Sequence, residues 1–236
     1  MTVILLNKTN FDRDWAAETL VGVIRKDMKA VMMPLSYDEG WSSDRNDWSD
    51  RFREESEYYE DLIRPFLAYG IRKENIRFID QYEDDAETVS GKLEGSDLLC
   101  IFGYDPDDCM DRIEDMNVRE LIRNYRGILM GISAGSKIIT DRYYHTPDEL
   151  HGFAYREGIG RLSGFDIDTH YSEDEYHLAG IIRCLEDGDR PVLIMPDRGG
   201  ALISGESIEL FGNAFIADYS DIDELYQLYN EISERN

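Results

Sequence analysis

The sequence is short of cysteine, histidine and positive charge, and each shortage removes a class of function. Its three cysteines, Cys100, Cys109 and Cys184, are an odd number and form no Cys-x-x-Cys pair. That argues against a disulfide framework and a thiolate zinc site, and it fits a reducing, cytoplasmic compartment. Lys and Arg number 25 against 50 Asp and Glu, a net charge of -25. So negative a surface repels a phosphate backbone, and no nucleic-acid partner is expected; the excess acid reads as a solvated surface. Long apolar runs are missing too. The opening MTVILLNKTNFDRDW has no basic region, and its apolar run of about five residues is too short for a signal peptide or a membrane span. There is no Gly-rich phosphate loop, and no His, Cys or carboxylate cluster has ligand spacing, so neither a metal ion nor a cofactor is expected. No repeat or low-complexity linker divides the chain, and residues 1–236 read as one domain.

What is present is a regular alternation. Short apolar runs, TVILLN (2–7), KAVMMPL (29–35), NIRFID (75–80), DLLCIFG (97–103) and GILMGIS (127–133), are separated by helical stretches such as 48–70 and 107–126. Continuous apolar runs between helices predict an α/β fold with a mostly parallel sheet and helices on both faces. The stretch 41–50, WSSDRNDWSD, is the most loop-like. Residues 152–171 read as strands and loops, and 172–188 as a helix capped by Ser172 and stopped by Gly188. RPVLIMP, GALISG, SIELFG and NAFIAD then predict a small antiparallel meander towards the C-terminus, and DIDELYQLYNEISER predicts a terminal helix.

The chemistry concentrates at GILMGISAGSKIIT, Gly127 to Thr140. An apolar strand runs into Gly-Ile-Ser-Ala-Gly and then into a helix, which is the context of a nucleophile elbow. Gly131 and Gly135 leave room for a sharp turn, Ser133 projects from the sheet edge, and the N–H of Ala134 is a natural oxyanion donor. A serine needs a base. Of four histidines, His145 and His151 fall in a loop-like stretch and His177 in a helix, read as a surface position. His170, at the end of FDIDTHY, fits a strand end at the same edge. Candidate orienting acids are Asp197 after VLIMP, Asp148 in HTPDEL, and Asp166 and Asp168 before His170.

LMGISAGSKI, the His of THYSEDE and the run IMPDRGGALI together resemble the aspartyl dipeptidase and cyanophycinase family of serine peptidases, of which dipeptidase E is the simplest member. The resemblance implies a flavodoxin-like fold related to the class I glutamine amidotransferases, which carry Cys where this chain has Ser133. It implies Ser133 as nucleophile, His170 as general base and Asp197 as acid, at a position where the family usually has Glu. It also implies Ala134 and Gly103 as oxyanion-hole donors and Asp148 as a substrate-binding residue; Tyr104, which replaces a family residue in the turn after Gly103, is also expected to bind substrate. The substrate would be a small peptide, and a homodimer is compatible with this reading. One turn departs from the pattern. Where the family has Gly-Gly-Asn, this chain reads IFGYDPDD: Gly103 stays, but Pro106 has no N–H and Asp105 brings a negative charge near a developing oxyanion. That departure motivates an alternative, a catalytically weakened or non-catalytic binding or regulatory protein on the same fold. A general α/β-hydrolase order, Ser then acid then a late His, is disfavoured because no His follows His177.

Overall fold

The computed structural model describes residues 1–36, 44–147, 152–188 and 190–235. The five apolar runs form strands β1 (Thr2–Leu6), β2 (Ala30–Pro34), β3 (Ile76–Phe78), β4 (Leu98–Gly103) and β5 (Ile128–Ser133). Between them lie α1 (Asp14–Leu20), α2 (Arg45–Phe52), α3 (Glu57–Ala68), α4 (Ala86–Leu93), α5 (Pro106–Asp115) and α6 (Arg119–Arg123). Then α7 (Ala134–Ile138) follows β5 directly.

The two long helices expected from sequence are each broken. The first divides where Glu55 adopts φ 74° and the Ser56 hydroxyl accepts from Tyr59 N to start α3. The second divides at Asn117, φ 55°. The stretch expected as loop at 41–50 is helical from Arg45, and it buries Trp48 against Phe52; residues 41–43 lie outside the described residues.

The second half supplies β6 (Arg142–His145), β7 (Ala154–Glu157), β8 (Asp166–Thr169), α8 (Glu175–Asp187), β9 (Val192–Met195), β10 (Gly199–Ser204), β11 (Ser207–Gly212), β12 (Phe215–Ala217) and α9 (Ile222–Ser233). The main sheet has the order β11-β10-β1-β5-β4-β2-β3. Strands β1 to β5 are parallel, and β10 and β11 add an antiparallel edge beyond β1. The C-terminal pieces do not make one meander. β10 and β11 join the main sheet, whereas β9 pairs parallel with β8 and antiparallel with β12 in a separate three-stranded sheet. Helix α8 starts from Asp174 rather than Ser172, because the Asp174 carboxylate accepts from Tyr176 N and His177 N.

Strand side chains alternate, so each strand feeds both faces. Val3 and Leu5 of β1 join Val31, Leu99, Ile101 and Leu129 in a core closed by α4, α5 and α7. Ile4 and Leu6 join Met32, Cys100 and Met130 on the other face, closed by α1, α2 and α3. Covering both faces is why the runs of β1, β2, β4 and β5 are apolar without a break, whereas β3, at the sheet edge, exposes Arg77. A third core, around Tyr144, Ile181, Leu185 and Ile194, lies at the small sheet. Among the described residues no helix is long and apolar enough to cross a membrane.

Candidate active site

β5 carries Ser133 to the C-terminal edge of the main sheet, and α7 begins at the next residue. Turning that fast forces Ser133 to φ 55° and ψ -120°, a region that costs a side chain roughly 1–3 kcal/mol. The flanking glycines are needed for packing. A Cβ on Gly135 would lie 2.2 Å from the carbonyl oxygen of Ile101, and one on Gly131 would lie 2.7 Å from that of Gly135. Ser136 ties the elbow to β1. Its hydroxyl accepts from Leu6 N at 3.1 Å and lies 2.9 and 2.8 Å from the carbonyls of Leu6 and Gly131, donating to one of them.

His170 follows β8 in the small sheet, also with positive φ, 58°. Its Nε2 lies 2.8 Å from Ser133 Oγ, so the two elements meet within hydrogen-bond distance. Burial lowers the His170 pKa, and the cations Lys8 and Lys137 and the neighbouring His177 lower it further, against the pull of Asp197. The imidazole is therefore neutral at neutral pH.

Asp197 stands close by, one residue beyond Pro196 at the end of β9, but it does not hydrogen-bond the histidine. Its Oδ1 is 3.9 Å from His170 Nδ1, while its Oδ2 takes a 2.6 Å bond from Lys8 Nζ. The Lys8 bond holds the Asp197 carboxyl below the usual range. The group that does contact His170 is one that sequence reading missed. Asn7, buried at the end of β1, accepts from His170 N through Oδ1 at 3.0 Å, and its Nδ2 lies 3.4 Å from His170 Nδ1.

The other acids and histidines take different places. Asp166 is fully buried and held by Arg142 through two bonds of 2.9 and 2.7 Å. Asp168 is also fully buried; it accepts from Tyr144 OH at 2.6 Å and lies 2.6 Å from His177 Nδ1. Neither is free to orient His170. His177 is therefore not a surface residue: its side chain is 15% exposed and engaged with Asp168. Burial alone would lower its pKa, but the carboxylates of Asp168 and Asp174 outweigh burial and raise it. His145 closes β6, paired with Ala154 of β7, instead of lying in a loop. Asp148 and His151 lie outside the described residues.

Opposite the elbow, Gly103 ends β4 in register with Ser133. A side chain there would meet Cys109 Sγ at 2.2 Å and Ser36 Oγ at 2.7 Å. The unusual sequence that follows is a helix start. Asp105 caps α5, its carboxylate accepting from Asp108 N at 2.9 Å, and Pro106 occupies the first turn, where its missing N–H costs nothing. The Asp105 carboxylate is thus engaged at the start of α5. The N–H groups of Tyr104 and Asp105 both donate to Ser36 Oγ, at 2.8 and 2.9 Å. Ala134 opens α7, the position at which a helical N–H has no acceptor within the helix. A cleft of about 270 Å³ opens beside Ser133, lined by Asn7, Lys8, Tyr58, Gly103 and Tyr104 among others, with Tyr104 54% exposed.

Fold and elbow together define an α/β protein whose serine and histidine come from two sheets that meet at the carboxyl ends of their strands, where open sheets place their sites. Solved structures have the same fold. A protein provisionally named a peptidase E protein, from Listeria monocytogenes EGD-e, superposes with a TM-score of 0.62 at 13% identity, covering 89% of this chain and 96% of its own. A peptidase from an acI-B1 actinobacterium superposes with a TM-score of 0.59 at 14% identity, covering 92% of this chain and 91% of its own. No family model and no curated protein matches the sequence. The peptidase E-like α/β architecture expected from the motifs is the architecture observed.

Proposed function

We propose that this chain is a serine-type hydrolase of small peptides, similar to dipeptidase E. The observation that carries the proposal is Ser133 at φ 55° on a strand-to-helix elbow, with its Oγ 2.8 Å from His170 Nε2. The likeness in fold to two structures named as peptidases supports it. In the reaction Ser133 attacks the peptide carbonyl, His170 takes the serine proton and passes it to the leaving amine, and water, deprotonated by His170, then attacks the acyl-enzyme, releasing the acid product and returning the proton to Ser133. Asp197 orients His170 once it turns from Lys8. The N–H of Ala134 and the Gly103 turn receive the oxyanion. Tyr104 and Asp148 bind the peptide. Neither metal nor cofactor enters these steps.

The test is labelling of folded protein with a fluorophosphonate, followed by a screen of dipeptides with N-terminal Asp, Arg and β-linked residues. The proposal expects labelling and turnover that both vanish in Ser133→Ala. Absence of both overturns it. In that case the binding or regulatory reading stands instead, which the Lys8–Asp197 pair and the capture of two turn N–H groups by Ser36 favour.

A further inference from the structure

Two atoms of Asn7 face His170, and their chemistry is not interchangeable. The backbone N–H of His170 can only donate, so the Asn7 atom 3.0 Å from it must be the oxygen, Oδ1. The amide nitrogen, Nδ2, is then the atom 3.4 Å from His170 Nδ1. An amide N–H can only donate, so it favours an unprotonated Nδ1, with the ring proton on Nε2. In that form Nε2–H donates to Ser133 Oγ and cannot take the serine proton. Asn7 itself is pinned: it is 1% exposed, and its own N–H donates to Gly199 O at 3.2 Å. It also bonds the backbone of a residue with positive φ, an arrangement that persists only where its surroundings enforce it.

We propose that Asn7 is a positioning residue that clamps His170 to β1 and holds its ring in the tautomer with the proton on Nε2, so that the serine is silent at rest. The inference rests on the Ser133–His170 hydrolase reading for its consequence. Working turnover needs the proton on Nδ1, and Asp197 Oδ1, 3.9 Å away, is the carboxylate that can accept it. Closing that gap displaces the Asn7 amide from Nδ1 while leaving its carbonyl on the His170 backbone. Replacing Asn7 by Asp puts an acceptor at both atoms, so Asn7→Asp converts the resting form into the working one.

The experiment reads the ring directly. Long-range 1H–15N spectra of 15N-labelled protein separate the two tautomers of neutral histidine, and the chain has only four histidines to resolve. His170→Gln identifies the His170 signals. In wild type, Nδ1 is expected to be unprotonated and Nε2 protonated. In Asn7→Asp the proton moves to Nδ1, and the His170 pKa rises by about 1 unit or more. The other charged or titratable groups facing the ring, Lys8, Asp197, Lys137 and His177, are the same in both proteins. Asn7→Ala populates both tautomers. A wild-type ring protonated on Nδ1 overturns the inference, as does an Asn7→Asp ring, in a variant with native thermal unfolding, that keeps the wild-type tautomer. If Asn7→Asp does not fold, the wild-type tautomer decides alone. No substrate is used, so failure to turn over any peptide counts against the hydrolase reading, not against the role of Asn7. Where turnover is found, Asn7→Asp shifts the acid limb of kcat/KM upward and acts on kcat rather than KM.

Discussion

The strain at Ser133 can be measured by two substitutions that both remove its hydroxyl and differ only in the Cβ. Ser133→Ala and Ser133→Gly both remove the hydroxyl, and both lose the 2.8 Å bond to His170, at a cost of about 1 kcal/mol. They differ in the backbone. Alanine keeps a Cβ at φ 55° and ψ -120°, whereas glycine adopts that region freely. Relief of the strain gives glycine roughly 1–3 kcal/mol. Against this, glycine gains freedom in the unfolded chain and loses roughly 0.4–1 kcal/mol. The difference leaves Ser133→Gly more stable than Ser133→Ala by about 0.5–2 kcal/mol, or about 3 °C in Tm for a chain of this length. Equilibrium unfolding in guanidinium chloride gives the free energies, and calorimetry gives Tm. If the glycine variant is no more stable than the alanine variant, the elbow is not strained and the reasoning fails.

The packing of α7 gives a second prediction. Gly135→Ala places a methyl 2.2 Å from a carbonyl of the central strand β4, and should cost about 3 kcal/mol in urea unfolding; a loss under 1 kcal/mol would show that the helix can lift off the sheet. A third concerns pH. If His170 is the base, as proposed, it must be neutral to act; its pKa is lowered, so kcat/KM should hold as pH falls past the ordinary histidine value of about 6.5 and drop only below it, and a limb above that value refutes the assignment. The last concerns His177, whose folded pKa is raised. Its contribution to stability is full below the unfolded value near 6.5 and is lost as pH rises through the folded value, so the gap in stability between wild type and His177→Gln should narrow with increasing pH, as followed by thermal unfolding across that range.

The parallel strands β1, β2, β4 and β5 were legible because their runs are apolar on both faces, the pattern of a sheet covered on both sides. The elbow was legible for a similar reason: Gly131 and Gly135 mark places where backbone touches backbone. What escaped detection depends on partners distant in sequence. Asn7 is an ordinary residue at a strand end, and its partner lies 163 positions away. Ser36 closes the turn at Tyr104 and Asp105 from 68 and 69 positions away. His177 looked like a surface residue because nothing local announces the buried carboxylate of Asp168. The breaks at Glu55 and Asn117 escaped because a non-glycine residue with positive φ leaves no mark in an amphipathic pattern. The departure at Asp105 and Pro106 was noticed, but its second role as the start of α5 was not, although an acid before a proline is a helix-start signature.

Serine and histidine belong to different sheets, and this makes their separation a gauge. Ser133 is fixed in the seven-stranded sheet, through Gly135 against Ile101 and Ser136 against Leu6. His170 sits at the end of the three-stranded sheet and is tied to the main sheet through Asn7 and its contact with Ser133. A slide of about half an ångström between the two layers would be taken up in the core they share, to which Ile167, Leu193 and Met195 of the small sheet contribute. It would still decide whether a proton can pass between Oγ and Nε2, since a hydrogen bond weakens over that range. On the proposed reading, a substitution that shifts the small sheet, even one far from the cleft along β8, β9 or β12, should therefore register as a change in reactivity of the serine.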